Sequence, residues 1–203
     1  MKKKIIKTLL ILLVVIISFV AGFTTSEYRW KKNRPIRASM AAFSGTCAYQ
    51  KKDIPEALED LYAAVYLDPS NSDAHLGLGS LFYEQGLYDL SLHEYGKYLQ
   101  NPTNGMLTIF SEKKYKQQSE RMVKRDVAWV YCYIGDIYEK KGDKSKSIEN
   151  YGKAQKSDPD FKKYIETYIK FINDMKVKEP RHIKKLELLT KTLTRIKEAE
   201  KGT

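Results

Sequence analysis

Catalytic equipment is what this sequence has least of. Its three histidines, His75, His93 and His182, follow no HExxH or other metal spacing, and its two cysteines, Cys47 and Cys132, have no Cys or His partner at ligand spacing. Gly77-Leu78-Gly79 is embedded in a helical pattern whose next residues cannot cradle a phosphate. Acid pairs such as Glu59-Asp60 are adjacent, so a helix points them apart. The expectation is a protein with no catalytic residues, no metal and no cofactor. Its cysteines are then buried free thiols, which do not fix a redox compartment.

Long apolar runs are equally scarce. There is one, Ile5 to Phe23, whose only charge is Lys7. As a helix its nineteen residues are about 28 Å long, close to a bilayer's hydrocarbon thickness. Tyr28 and Trp30 follow among Arg29, Lys31, Lys32 and Arg34, an aromatic and basic belt of interfacial type. A cleaved signal peptide competes, but no Ala-x-Ala occurs and Val20-Ala21-Gly22 is a poor substitute. No cysteine follows closely enough for a lipid anchor. Residues 1–37 are therefore expected to be a basic tail, a transmembrane anchor and a juxtamembrane segment. Lys2, Lys3, Lys4 and Lys7 tip the positive-inside balance slightly toward a cytoplasmic N terminus. The expected location is a single pass through a bacterial inner membrane, with the rest of the chain on the outer side.

What the chain does have is a motif written three times. Gly45 and Gly79 stand 34 residues apart, as do Ala57 and Ser91; Gly79 and Gly135 are separated by 56, as are Ser91 and Ser147. The second interval is one period plus an insertion of 22. The clearest copy reads Tyr131, Ile134, Gly135 and Tyr138, a break at Lys141-Gly142-Asp143, then Ser147, Tyr151, Ala154 and Pro159. The middle one reads His75, Leu78, Gly79 and Phe82, a turn at Gln85-Gly86, then Ser91, Tyr95 and Pro102. In the first, Gly45, Ala57, Leu61, Ala64 and Pro69 fit, but Ala48 replaces the aromatic residue. A period of this size marks stacked units that cannot bury their apolar faces alone.

These residues resemble the tetratricopeptide repeat, in copies at about 38–71, 72–105 and 128–161 of a domain spanning 38–161. The resemblance implies an all-α fold: a right-handed superhelical stack of helix–turn–helix hairpins, here behind a single N-terminal transmembrane helix. The physics agrees. Glycine inside a helix costs about 1 kcal/mol against alanine, acceptable where another backbone comes too close for a side chain. Ala57, Ser91 and Ser147 are small for the same reason, while Phe82, Tyr95, Tyr138 and Tyr151 fill the wider gaps. Pro69 and Pro159 each follow Asp, where a helix must stop.

Two further segments lie outside the period. Residues 106–127 read as a lengthening of the third copy's first helix, serving either as a projecting partner contact or as a spacer. Residues 162–203 give two helices with stripes at Ile165, Tyr168, Ile172 and Met175, then Ile183, Leu186, Leu189, Leu193 and Ile196. A capping helical hairpin is favoured over a membrane-surface or partner-binding helix, because a solenoid must cover its last apolar face.

Net charge is +11, carried at the ends. Residues 1–37 hold nine Lys/Arg against one Glu, and 162–203 twelve against six acids, whereas 38–105 hold nine acids and three Lys. A nucleic-acid reader would place its basic stripe on the repeats, so nucleic acid is not the expected partner and polyanion binding by the basic ends ranks last.

The family lines its concave face with the inner side of each first helix. Carried over by register, this places Ser39, Ala42, Thr46, Tyr49 and Gln50 there from the first copy. The second supplies Asp73, Leu76, Ser80, Tyr83 and Glu84, and the third Trp129, Cys132, Asp136, Glu139 and Lys140. The Lys/Asn/Arg set with which some members hold a chaperone's C-terminal carboxylate is missing. The function the resemblance implies is a membrane-tethered module that docks a peptide or helix of another protein, to assemble or escort a complex. A self-associating membrane scaffold is the alternative.

Overall fold

Every described secondary element is a helix, as apolar residues at helical spacing require. The computed structural model describes the backbone of residues 2–103, 116–175 and 179–201; the side chains of 2–17, 19–24, 26, 116 and 181 are outside the described set. Among the described residues there are eight helices and no strand: α1 (Lys2–Gln50), α2 (Ile54–Leu67), α3 (Ser72–Glu84), α4 (Tyr88–Gln100), α5 (Lys116–Lys140), α6 (Lys144–Ser157), α7 (Phe161–Asp174) and α8 (Pro180–Lys201).

Consecutive helices pair as hairpins, α1 with α2, α3 with α4 and α5 with α6, and each hairpin packs on the next. The turns inside them are built alike. Each closes with a long backbone bond, from Asp53 N–H to the Ala48 carbonyl, Leu87 to Phe82 and Asp143 to Tyr138. The three acceptors are the residues that the repeat register puts in equivalent places. Gly86 and Gly142 supply the left-handed residue such a closure needs (φ +74° and +81°), and Lys52 takes it in the first turn (φ 68°). Asp53, Asn71 and Asp143 cap the starts of α2, α3 and α6 by accepting the N–H three residues on, at 3.2, 2.9 and 3.0 Å, whereas α4 starts at Leu87 with no side-chain cap.

The core runs along the stack in three clusters. Leu61, Leu78 and Phe82 centre the first and Tyr95, Val130 and Ile137 the second; Cys132, Tyr151, Phe161, Ile172, Leu189 and Ile196 belong to the third. α8 packs on α6 and α7 and shares that last cluster. α5 has 25 residues where α3 has 13, so residues 116–127 are helix continuous with the third hairpin. The apolar start of the insertion, Met106, Leu107, Ile109 and Phe110, lies outside the described residues.

The membrane assignment is corrected. Among the described residues, no helix is long and apolar enough to cross a membrane. The helix holding the apolar run does not stop after Phe23: α1 is one element from Lys2 to Gln50. Its described side chains include Glu27, Arg29, Lys31, Lys32, Arg34 and Arg37, so the described part of the helix is strongly charged and not apolar. The side chains of residues 5–17 and 19–23 of the expected span lie outside the described set. The single-pass location, its orientation and the membrane as partner fall with the assignment.

One buried contact makes stability pH-dependent. The His75 ring lies between two acceptors, Glu94 Oε2 2.7 Å from Nδ1 and the Pro69 carbonyl 3.0 Å from Nε2. Only the imidazolium can donate to both. The hydrogen bond with Glu94 raises the His75 pKa above 6.5, against the opposing effects of burial and of nearby Lys97. A raised folded-state pKa adds stability that is fully present below the unfolded value and lost as pH rises through the folded one. The melting temperature of the wild type should therefore fall as pH climbs past 6.5, relative to His75→Gln, which lacks the titration. Parallel pH profiles for the two proteins would refute the assignment.

Candidate partner-binding face

The residues assigned by register to the inner face lie on α1, α3 and α5, one column on each helix, and the three columns differ. In the first, Ser39 and Ala42 are buried, Thr46 donates to the Ala42 carbonyl at 2.9 Å, Tyr49 is half-buried and Gln50 exposed. Tyr49 is hydrogen-bonded to Glu84; burial, and then that bond, push its pKa up. Glu84 also receives Lys52 Nζ at 3.1 Å, and Lys52 lies 5.5 Å from the Tyr49 ring centre.

The second column has Asp73, Leu76, Ser80 and Tyr83 half-buried and Glu84 exposed. Ser80 donates to the Leu76 carbonyl at 2.9 Å and accepts from Tyr95 at 3.3 Å. Tyr83 reaches the next column: its hydroxyl donates to Asp136 at 2.6 Å and its ring lies 4.9 Å from that of Tyr133. Asp73 lies near Asp126, whose carboxyl is pushed up to about 6 by burial and then by that like charge, with Arg125 opposing.

In the third column Cys132 and Asp136 are buried, Trp129 and Glu139 half-buried and Lys140 exposed. Trp129 meets Phe161 edge-on at 5.0 Å, Tyr133 at 6.1 Å, and carries Lys185 Nζ 4.7 Å from its ring centre. Asp136 receives Tyr83, Lys140 at 2.7 Å and Lys191. Burial pushes its carboxyl up, but the hydrogen bonds from Lys140, Lys191 and Tyr83 outweigh that and hold it below the ordinary value. Arg195 grips Glu139 with two nitrogens, at 2.5 and 3.2 Å, and keeps that carboxyl low as well. Lys140 sits 4.6 and 5.3 Å from the ring centres of Tyr83 and Tyr88.

The proposed inner-face residues are thus brought together in three adjacent columns, but the third lies under α8. Sequence reasoning missed Tyr133, whose ring joins those of Tyr83, Tyr95 and Trp129. Its position four residues from Trp129, on the same helix side, was the available signal. It also missed that Lys191 and Arg195 would pair with the inner-face acids; a separation of more than fifty residues leaves no local signal. Burial raises the Cys132 thiol's pKa, which makes it unreactive. Among the described residues, no group of three or more His, Cys, Asp or Glu is placed to hold a metal.

Residues 48–86 match the TPR repeat and residues 130–161 the tetratricopeptide repeat. The first match runs from the end of α1 through the turn after α3, the second over the end of α5, all of α6 and the start of α7. No curated protein matches the chain.

Proposed function

We propose that this protein, with tetratricopeptide repeats matched at 48–86 and 130–161, is a protein–protein interaction module of three repeats. It docks a peptide or helix of another protein on its inner face, to assemble or escort a complex. Repeats of this family generally mediate protein–protein interaction, which supports the class of function. The observation that carries the site is the contrast between columns. Side chains of the first two, Gln50, Leu76, Ser80 and Glu84, keep exposed surface, whereas in the third Trp129, Asp136 and Glu139 are each engaged by a cation of α8. Leu76 offers apolar area and Glu84 a carboxylate, a surface suited to a segment with an apolar anchor and a basic residue.

The test is capture of partners from extract on the immobilised full chain. Leu76→Ala with Glu84→Lys should cut recovery of specific partners about tenfold or more, with helicity kept and stability lowered by no more than about 2 kcal/mol, since Leu76 also rests against the second core cluster. Glu149→Lys, on the exposed side of α6, should capture as the wild type does. Full recovery by the Leu76/Glu84 variant would move the binding site elsewhere.

A further inference from the structure

Trp129, Cys132, Asp136 and Glu139 face a helix of their own chain, and the contact has the form of a bound ligand. α8 is two-sided. Leu189, Thr192, Ile196 and Ala199 are buried, while Lys185, Lys191 and Arg195 meet the third column's side chains. Lys185 lies over the Trp129 ring, Lys191 pairs with Asp136 and Arg195 with Glu139, so aromatic and acidic groups of α5 are answered one by one by cations of α8.

We infer that α8 is a resident occupant of a docking site for basic amphipathic helices, and that a partner helix of like pattern takes the third column by displacing it. This rests on the reading of the inner face as a docking surface, and names the partner's chemistry. The pattern is Lys-x3-Arg, as Lys191 and Arg195, flanking a stripe of Leu189, Thr192, Ile196 and Ala199 that Lys185 continues toward the helix N terminus.

Two features make α8 displaceable. Its ion pairs are open to water: the Lys191 side chain is 40% exposed and that of Arg195 27%, so salt and competing cations weaken them. A cavity of about 260 Å³, lined by Glu139, Gly142, Ser147, Ile148 and Arg195 among others, opens beside the Arg195–Glu139 pair. A competitor can therefore engage Glu139 before the apolar side of α8 lets go. Tethering gives α8 a high effective concentration, so a partner must match both its charges and its apolar side. Weakly matched basic peptides are excluded.

The test uses the full chain and a labelled peptide of residues 180–201. Wild type should bind the peptide weakly, because the site is filled. K191E/R195E, still helical, should bind it at least about tenfold more tightly, and more so at low salt. Adding D136K/E139K restores opposite charges within the chain and should return both the melt and the weak binding to near wild type. Tight binding by the wild type would show that α8 occludes nothing. No gain in K191E/R195E would show that the column accepts no second helix. If charge reversal unfolds the chain, K191Q/R195Q removes attraction without adding repulsion and is read the same way. Loss of fold in both also overturns the inference, since a helix the fold requires is not a displaceable one. Partner capture lost through Leu76 and Glu84 alongside a negative peptide result would overturn this inference and leave the proposed function standing.

Discussion

Gly79→Leu should be among the most damaging single changes in this chain, with a loss of about 1–3 kcal/mol or more. A Cβ at Gly79 would lie 2.5 Å from Cδ1 and 2.7 Å from Cε1 of Tyr95. Tyr95 is fully buried and cannot retreat, because the Tyr133 ring lies almost parallel behind it at 5.8 Å. Ser91 closes the same contact by donating to the Gly79 carbonyl at 2.8 Å. Gly135→Leu should follow, since its Cβ would meet Tyr151 at 3.0 Å and the Ser147 carbonyl at 3.1 Å. Gly96 is the internal control: nothing lies within 4 Å of its Cβ position, so Gly96→Ala should be neutral or stabilising by up to about 1 kcal/mol. Thermal melts decide it. A Gly79→Leu protein melting with the wild type would mean that α3 and α4 do not approach as described.

Asp136→Ala should cost about 2–3 kcal/mol. Its carboxylate is 5% exposed and holds three donors, so removing it takes away the acceptor of the Tyr83 hydroxyl, which keeps only the bond it accepts from Lys140 at 3.2 Å, and leaves Lys140 and Lys191 without their shared counter-charge. The loss stops short of that for a fully buried pair because both lysines are about 40% exposed and water screens them. The sign with pH is fixed. The Asp136 pKa is depressed in the folded protein, so its contribution is fully present above the unfolded value near 3.8 and is lost as pH falls through the folded one. The gap in melting temperature between wild type and Asp136→Asn should be constant around pH 7 and shrink only in the acid range. A gap that widens with acid would contradict the assignment.

The hairpin contacts were the most legible part of the chain, and the reason is local. A glycine and a small residue twelve apart can only mean two helices touching across a short turn, and Gly79 with Ser91 and Gly135 with Ser147 do touch. The two cores built around Tyr95 and Tyr151 follow from the same spacing. What escaped was long-range electrostatics. Register places Asp136 and Glu139 on the inner face of the third copy, while Lys191 and Arg195 lie in a last helix legible only by its apolar stripe. Nothing in either segment encodes the register that joins them; α7 and the chain between it and α8 decide it. The inner-face aromatics show the same gap. Period placed Tyr83 and Trp129 on one side of their helices, but Tyr133 and Phe161, which pack against them, come from outside the repeated positions. The apolar run from Ile5 to Phe23 belongs to one helix from Lys2 to Gln50, and local hydropathy does not encode that continuity.

Pro35 gives the first helix mechanical consequences. α1 has 49 residues and is about 74 Å long, yet its buried residues begin only at Ala38 among the described side chains. Proline lacks the N–H that would bond the Lys31 carbonyl, and its ring crowds the turn before it. The helix is thus weakest just before it joins the stack, and beside that point Arg34 is fastened to the Tyr66 carbonyl at 3.1 Å. Pro35 is thus the point at which the helix bends most readily, and the Arg34–Tyr66 hydrogen bond ties the segment beside that point to α2.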